Sequence, residues 1–207
     1  MFRNVAITVA AIFLFCLLSQ AQKSRFKDRI DVSLNAAGAI SKQSAGNGVT
    51  LTPTQGSGIF GSLRFRLAKR SSLEVTIGRA KNSQLFNAPP LQYRIQGPIT
   101  EVTGSYVYRL AKRGKFEPFF IGGAGVLVFS PNETKVFDVV ADTGATRETR
   151  PTFLYGGGVD YQLHSHIAIR AQYRGLFYRA PDYHLGNLVT GSNGHLAEPS
   201  LGVVFKF

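Results

Sequence analysis

Cysteine is almost absent from this chain. One of its 207 residues is a cysteine, Cys16, and it lies in the first apolar stretch. That stretch, Val5 to Leu18, falls short of the roughly 18 to 20 residues a spanning helix needs. With Arg3 before it and the small residues Ser19 and Ala21 after it, the segment reads as a secretory leader, residues 1–21, cleaved after Ala21. Lipid attachment at Cys16 is disfavoured because Phe15 stands where a small residue is needed. The expected mature domain, residues 22–207, then has no cysteine at all. That excludes a disulfide scaffold, a thiolate zinc site and a cysteine nucleophile.

Acidic residues are scarce too: 12 against 24 lysines and arginines, a formal net charge of +12. Loss of the leader removes Arg3 and no acid, leaving 23 minus 12, or +11. A pentamer, RLAKR, occurs twice, at Arg66 to Arg70 and Arg109 to Arg113. Basic clusters of this kind can mark nucleic-acid contacts. The export signal and the lack of a recognition helix or stacking motif argue against nucleic acid as a partner.

No stretch after residue 22 keeps an apolar period of 3.6; strict alternation recurs instead, which is the strand signature. RIDVSLNA sets Ile30, Val32, Leu34 and Ala36 against Asp31, Ser33 and Asn35. SGIFGSLRFRLA sets Ile59, Leu63, Phe65 and Leu67 against Ser62, Arg64 and Arg66, and SLEVTIG sets Leu73, Val75 and Ile77 against Glu74 and Thr76. ITEVTGSYVYRL opposes Val102, Tyr106, Tyr108 and Leu110 to Glu101, Thr103, Ser105 and Arg109. PFFIGGAGVLVF is apolar in both phases, which leaves its facing open. TFLYGGGVDYQL, IAIRAQYRGLFY and EPSLGVVFKF repeat the pattern, giving eight strands in an all-β chain. Between them, connections alternate between long (41–56, 82–94, 131–150, 181–194) and tight (69–71, 111–116, 164–166). That alternation predicts an antiparallel up-and-down meander with long and short loops on opposite rims. Both RLAKR copies run into tight turns, which puts Lys69, Arg70, Lys112 and Arg113 on one basic rim. Lys23, Arg25, Lys27, Arg29 and Lys115 join them, against only Asp28 and Glu117.

Alternation alone leaves open whether the apolar face lines a cavity, as in a soluble carrier barrel, or meets lipid. The polar phase carries Arg64, Arg66, Arg109, Arg170 and Arg174 with Asp31, Glu74, Glu101, Asp160 and Glu198. Five cations and five anions predict an ion-pair network in a narrow lumen. Aromatics of the apolar phase gather at strand ends: Phe65, Tyr108, Tyr161, Phe205 and Phe207 near the short turns, Phe153, Tyr155 and Phe177 near the long loops. Two such girdles are expected at two membrane interfaces.

The chain ends in LGVVFKF, with Leu201, Val203, Phe205 and Phe207 at alternate positions. This ending is similar to the C-terminal signal of outer-membrane β-barrel proteins, and residues 29–207 resemble the small eight-stranded OmpA-like barrels. The resemblance implies a bacterial outer-membrane location, multiple membrane crossings, and insertion by the barrel-assembly machinery through the final strand. The family's prototype carries a peptidoglycan-binding domain after its barrel; this sequence stops at the last strand, so a barrel without that domain is expected.

Eight strands enclose an interior filled by side chains, so a wide pore is not expected; a narrow ion path along the arginines is the alternative. The role expected is structural or interactive, with long loops extracellular and short turns periplasmic. Outer-membrane lipid, the assembly machinery, and peptidoglycan or an extracellular partner met through the long loops are the expected partners. No cofactor or metal is expected. His164 and His166 supply two ligands of the four zinc needs. His195 and Ser200 are close in sequence to Glu198, but Ser200 falls in the lumenal phase, so no catalytic group is expected. GGAG and GGG at 122–125 and 156–158 precede no helix and so lack the dipole of a phosphate loop. The NET sequon at Asn132 carries no weight in a chain expected to be bacterial.

Overall fold

A computed structural model describes residues 29–207, so the expected leader and the basic residues Lys23, Arg25 and Lys27 lie outside the described residues. The alternating segments form eight long strands: β1 (Ile30–Ser41), β4 (Gly56–Arg66), β5 (Ser71–Ala88), β6 (Leu91–Arg109), β7 (Phe116–Phe129), β10 (Glu148–His164), β11 (Ile167–Arg179) and β12 (Asn193–Lys206). Each pairs antiparallel with its neighbours in the chain, and β1 also pairs with β12, for example Val32 with Phe205. The sheet therefore closes on itself, removing the free edges an open sheet would present.

The facing follows from exposure. On β5, Leu73, Val75 and Ile77 are 50%, 52% and 60% exposed, while Glu74 and Thr76 between them are 2% and 1% exposed. The same inversion holds around the ring: the apolar phase is outside and the charged phase is inside. A soluble carrier barrel needs the opposite, an apolar interior ready for a ligand. An outward apolar band is what lipid requires of a spanning barrel. Strand β7, ambiguous by sequence, buries Phe119, Ile121, Leu127 and Phe129 and exposes Phe120.

Four shorter strands correct the expected loops. The connection expected at 82–94 is strand: β5 and β6 continue as one long hairpin that turns at Pro89 and Pro90. Its inward residues Phe86, Tyr93 and Ile95 are buried, and this packing, made with distant loop residues, supports strand where the local sequence looks polar. The loop at 41–56 holds β2 (Ser44–Gly46) and β3 (Val49–Pro53). The turn between them, Asn47-Gly48, has φ of 52° and 75°, the left-handed pair that a two-residue hairpin turn needs. The loop at 131–150 holds β8 (Glu133–Val136) and β9 (Val139–Val140), turning through Phe137 and Asp138 at φ of 47° and 63°. Strand β3 adds to β5 and β8 adds to β6, so the long-loop rim carries a sheet in the order β2-β3-β5-β6-β8-β9.

The short-turn rim is sparse. Leu67 N and Ala68 N donate to Ser71 O around Lys69 and Arg70, and Arg113 and Phe116 bridge around Gly114, whose φ is +60°. The two RLAKR copies thus end in different turns: one closes within the pentamer's last residues, the other just beyond them.

Candidate functional site

The interior is built in layers by the inward phase of each strand. Nearest the short turns, Arg109 Nη2 donates to Asp31 Oδ2 at 2.6 Å, and Arg66 approaches the other oxygen of Asp31 at 3.7 Å. Lys206 Nζ sits beside them, 3.0 Å from Glu117 and 2.7 Å from Gln162. In the middle layer Arg170 forks onto Asp160, Nε to Oδ1 at 2.7 Å and Nη2 to Oδ2 at 2.9 Å, and reaches Glu74 at 3.3 Å. Arg64 donates to the same Glu74 oxygen at 2.8 Å. The Phe119 ring lies under both guanidinium groups, 4.5 Å from Arg64 and 5.1 Å from Arg170. One layer further, Arg174 bonds Glu101, lies 3.3 Å from Glu198 and stacks 4.6 Å above Phe60.

All ten charges read from the polar phase therefore meet in one connected interior, and nine of them are buried, with Arg66 at the open end. Paired, and most of them hydrogen-bonded, such ions avoid much of the several kcal/mol per ion that burial alone would cost. Their packing leaves little room. The cavity between Glu101, Glu198, Ile99, Leu127 and Leu196 is about 10 Å³, enough for about one water molecule.

A third feature was not legible in the sequence. Above the charges the inward residues turn apolar: Leu127, Phe129, Leu154, Leu176 and Leu196 pack with Phe86, Tyr93 and Ile95. The loop between β11 and β12 folds into this mouth, with Leu188 fully buried in a 3-10 turn at Gly186–Leu188. Glu148 Oε2 accepts from the backbone N–H groups of Asp182 (2.8 Å) and Tyr183 (2.7 Å), while Arg150 bonds Asp182 at 2.9 Å. Asn187 Nδ2 donates to Tyr93 Oη at 2.7 Å. Tyr183 enters with φ of 54° and meets Phe86 and Phe129 edge-on at 6.1 and 6.4 Å. Burial pushes its phenol above the ordinary range. A buried tyrosine held in a left-handed conformation needs its surroundings to fix it, and only the folded mouth supplies them. The lumen is thus closed twice, by ions and by an apolar plug.

The catalytic candidates do not assemble. His195 lies on the outer face, 4.6 Å from the Phe177 ring centre and 3.0 Å from Tyr155 Oη, whereas Glu198 is turned inward to Arg174 and Ser200 Oγ donates to Gln172 O. The strand alternation that separates them is a period of two, and His195 is an odd number of residues from Glu198 and Ser200. His164 and His166 are exposed at their turn, and no cluster of three or more metal-ligating side chains occurs among the described residues. The glycine runs serve close strand approach: a Cβ on Gly123 would lie 2.1 Å from Gly104 O.

On the outside, Leu201, Val203, Phe205 and Phe207 are all exposed, and Phe207 N donates to Ile30 O at 3.0 Å along the closing seam. Aromatics meet at both rims: Phe116 with Tyr161 at 5.0 Å near the short turns, Tyr155 stacked on Phe177 at 5.5 Å near the long loops. Lys69, Arg70, Lys112 and Arg113 are exposed on the short-turn rim.

The outer membrane protein beta-barrel domain family matches residues 7–207. No curated protein matches the sequence. Among solved structures, Neisserial surface protein A is 20% identical over 86% of this chain and 97% of its own, with a TM-score of 0.55. The outer membrane protein OprG from Pseudomonas aeruginosa is 12% identical over 87% of this chain and 97% of its own, with a TM-score of 0.54. At these identities the likeness is one of fold.

Proposed function

The chain belongs to the outer membrane protein beta-barrel domain family and is a multi-pass barrel of a bacterial outer membrane, and on that premise we propose that it is a structural and surface-interaction protein rather than a channel or an enzyme. The observation that carries this reading is the double closure of the lumen, by the arginine–carboxylate layers and by the plug of Leu188 and Tyr183. What is left to meet a partner is the outside. The long-loop rim, stiffened by the strands added to β5 and β6, would face the exterior, and loops on a rigid scaffold are where recognition is placed.

The short turns would face the periplasm. There Lys69, Arg70, Lys112 and Arg113 would engage anionic lipid headgroups or cell-wall polymer, as cations near an anionic surface contribute about 1 kcal/mol each. The outward Leu201, Val203, Phe205 and Phe207 would be the stripe that the barrel-assembly machinery recognises.

Planar bilayer recording tests the closure. The full barrel is expected to insert without discrete conductance across many insertions. Steady unitary currents that change when Arg170 and Arg174 are replaced would establish a narrow channel instead.

A further inference from the structure

Charge on the barrel strands is sorted by face. Every acidic residue on the eight strands lies in the inward phase, from Asp31 on β1 to Glu198 on β12. Outside that inward phase the eight long strands carry no acid. The outer face does carry cations, and they lie toward the long loops. Arg79 and Lys81 alternate with the inward Gly78, Ala80 and Asn82 and are exposed. Arg179, the last residue of β11, is exposed between buried Tyr178 and Ala180. Lys42 continues the β1 ladder through its N–H to His195 O at 2.9 Å and is exposed beside that outward histidine.

Height can be read from β5. Arg79 and Lys81 lie eight and ten residues beyond Ser71. At roughly 3.3 Å per residue and a tilt of about 40°, they stand some 20 to 25 Å above the short-turn rim. The apolar band of a spanning barrel is about 25 Å tall. These side chains therefore emerge at the far membrane interface, directly above Leu73, Val75 and Ile77. Acids on the long-loop side are engaged with other cations: Glu133 with Lys135, Asp138 with Arg94, Asp182 with Arg150.

Cations on a lipid-facing surface without a protein counter-charge draw one from the membrane. We propose that Lys42, Arg79, Lys81 and Arg179 form a belt that binds the phosphate groups of anionic glycolipid in the leaflet surrounding the long-loop rim. The choice of leaflet rests on the outward orientation of the long loops given above. The phosphate chemistry does not, because it follows from the outward face of all four side chains and from the height of Arg79 and Lys81.

The test uses the full barrel in phosphatidylcholine nanodiscs containing bisphosphorylated lipid A, and measures lipid A retained per barrel after dilution into lipid A-free discs. Orientation is irrelevant in such discs, so failure of the orientation reading and failure of this one are distinguishable. Removing each cation is expected to lower retention about fivefold, so a variant with Lys42, Arg79, Lys81 and Arg179 all replaced by glutamine loses it. Fully dephosphorylated lipid A binds wild type no better than it binds the belt variant, and millimolar inorganic phosphate fails to displace the glycolipid. A charge-preserving variant (K42R, R79K, K81R, R179K) guards against misfolding and keeps most of the retention. Equal retention by the belt variant, retention of dephosphorylated lipid A, or displacement by free phosphate would each overturn the proposal.

Discussion

Arg170 shows how one side chain ties the interior together. It is fully buried, bonds both oxygens of Asp160, reaches Glu74 and lies over Phe119. Replacing it with alanine leaves Asp160 with Arg64 alone, 3.8 Å away, and takes one of two cations from Glu74, and breaking a buried pair on one side costs about 3–5 kcal/mol. Urea titration of the barrel in vesicles should show that loss for Arg170→Ala, against a change within about 0.5 kcal/mol for the exposed Lys69→Ala. A loss below about 1 kcal/mol for Arg170→Ala would mean that the ion layer does not hold the barrel closed. Alternation makes the phase of each such residue readable from sequence. Its partner is another matter: Arg109 and Asp31 are 78 positions apart, and Arg174 and Glu101 are 73 apart. Such pairs meet only because the sheet closes and the strands stagger, which no local pattern records.

At the scale of elements, the strands that lie in the membrane are the ones alternation finds, because lipid outside and ions inside impose opposite demands on successive residues. Beyond the membrane that contrast weakens. The outer halves of β5 and β6 are stretches such as KNSQLFNA and QYRIQG, which read as loop until Phe86, Tyr93 and Ile95 find the mouth residues to pack against. Asn47-Gly48 was the signal available for the β2–β3 hairpin; Phe137-Asp138 gave none, since a phenylalanine at φ of 47° is uncommon. The plug likewise depends on Glu148 accepting the N–H groups of Asp182 and Tyr183 from a different loop. The two basic turns carry a prediction of their own. Replacing Lys69, Arg70, Lys112 and Arg113 together by glutamine should abolish cosedimentation with isolated peptidoglycan and weaken binding to anionic vesicles, leaving the melting temperature unchanged. Undiminished binding to both would remove the short-turn rim as an interaction surface.

For the whole molecule, the arrangement inverts a soluble protein: ions at the centre and an apolar surface outside. The basic excess that first suggests nucleic acid is divided among the paired interior, the short-turn rim and the outward belt of Lys42, Arg79, Lys81 and Arg179. Family membership agrees with this architecture across nearly the full length of the chain. The claim on which the account rests is the facing of the strands, and the expected mature chain, with no cysteine of its own, allows a clean measurement. Single cysteines placed along β5 at positions 73 to 77, spin-labelled in reconstituted vesicles, report collision with oxygen in lipid and with a water-soluble nickel chelate. The account predicts a period of two, with labels at Leu73, Val75 and Ile77 open to oxygen and shielded from nickel, and labels at Glu74 and Thr76 reached by neither. Labels at 73, 75 and 77 reached by nickel in water, with no protection from lipid, would contradict it.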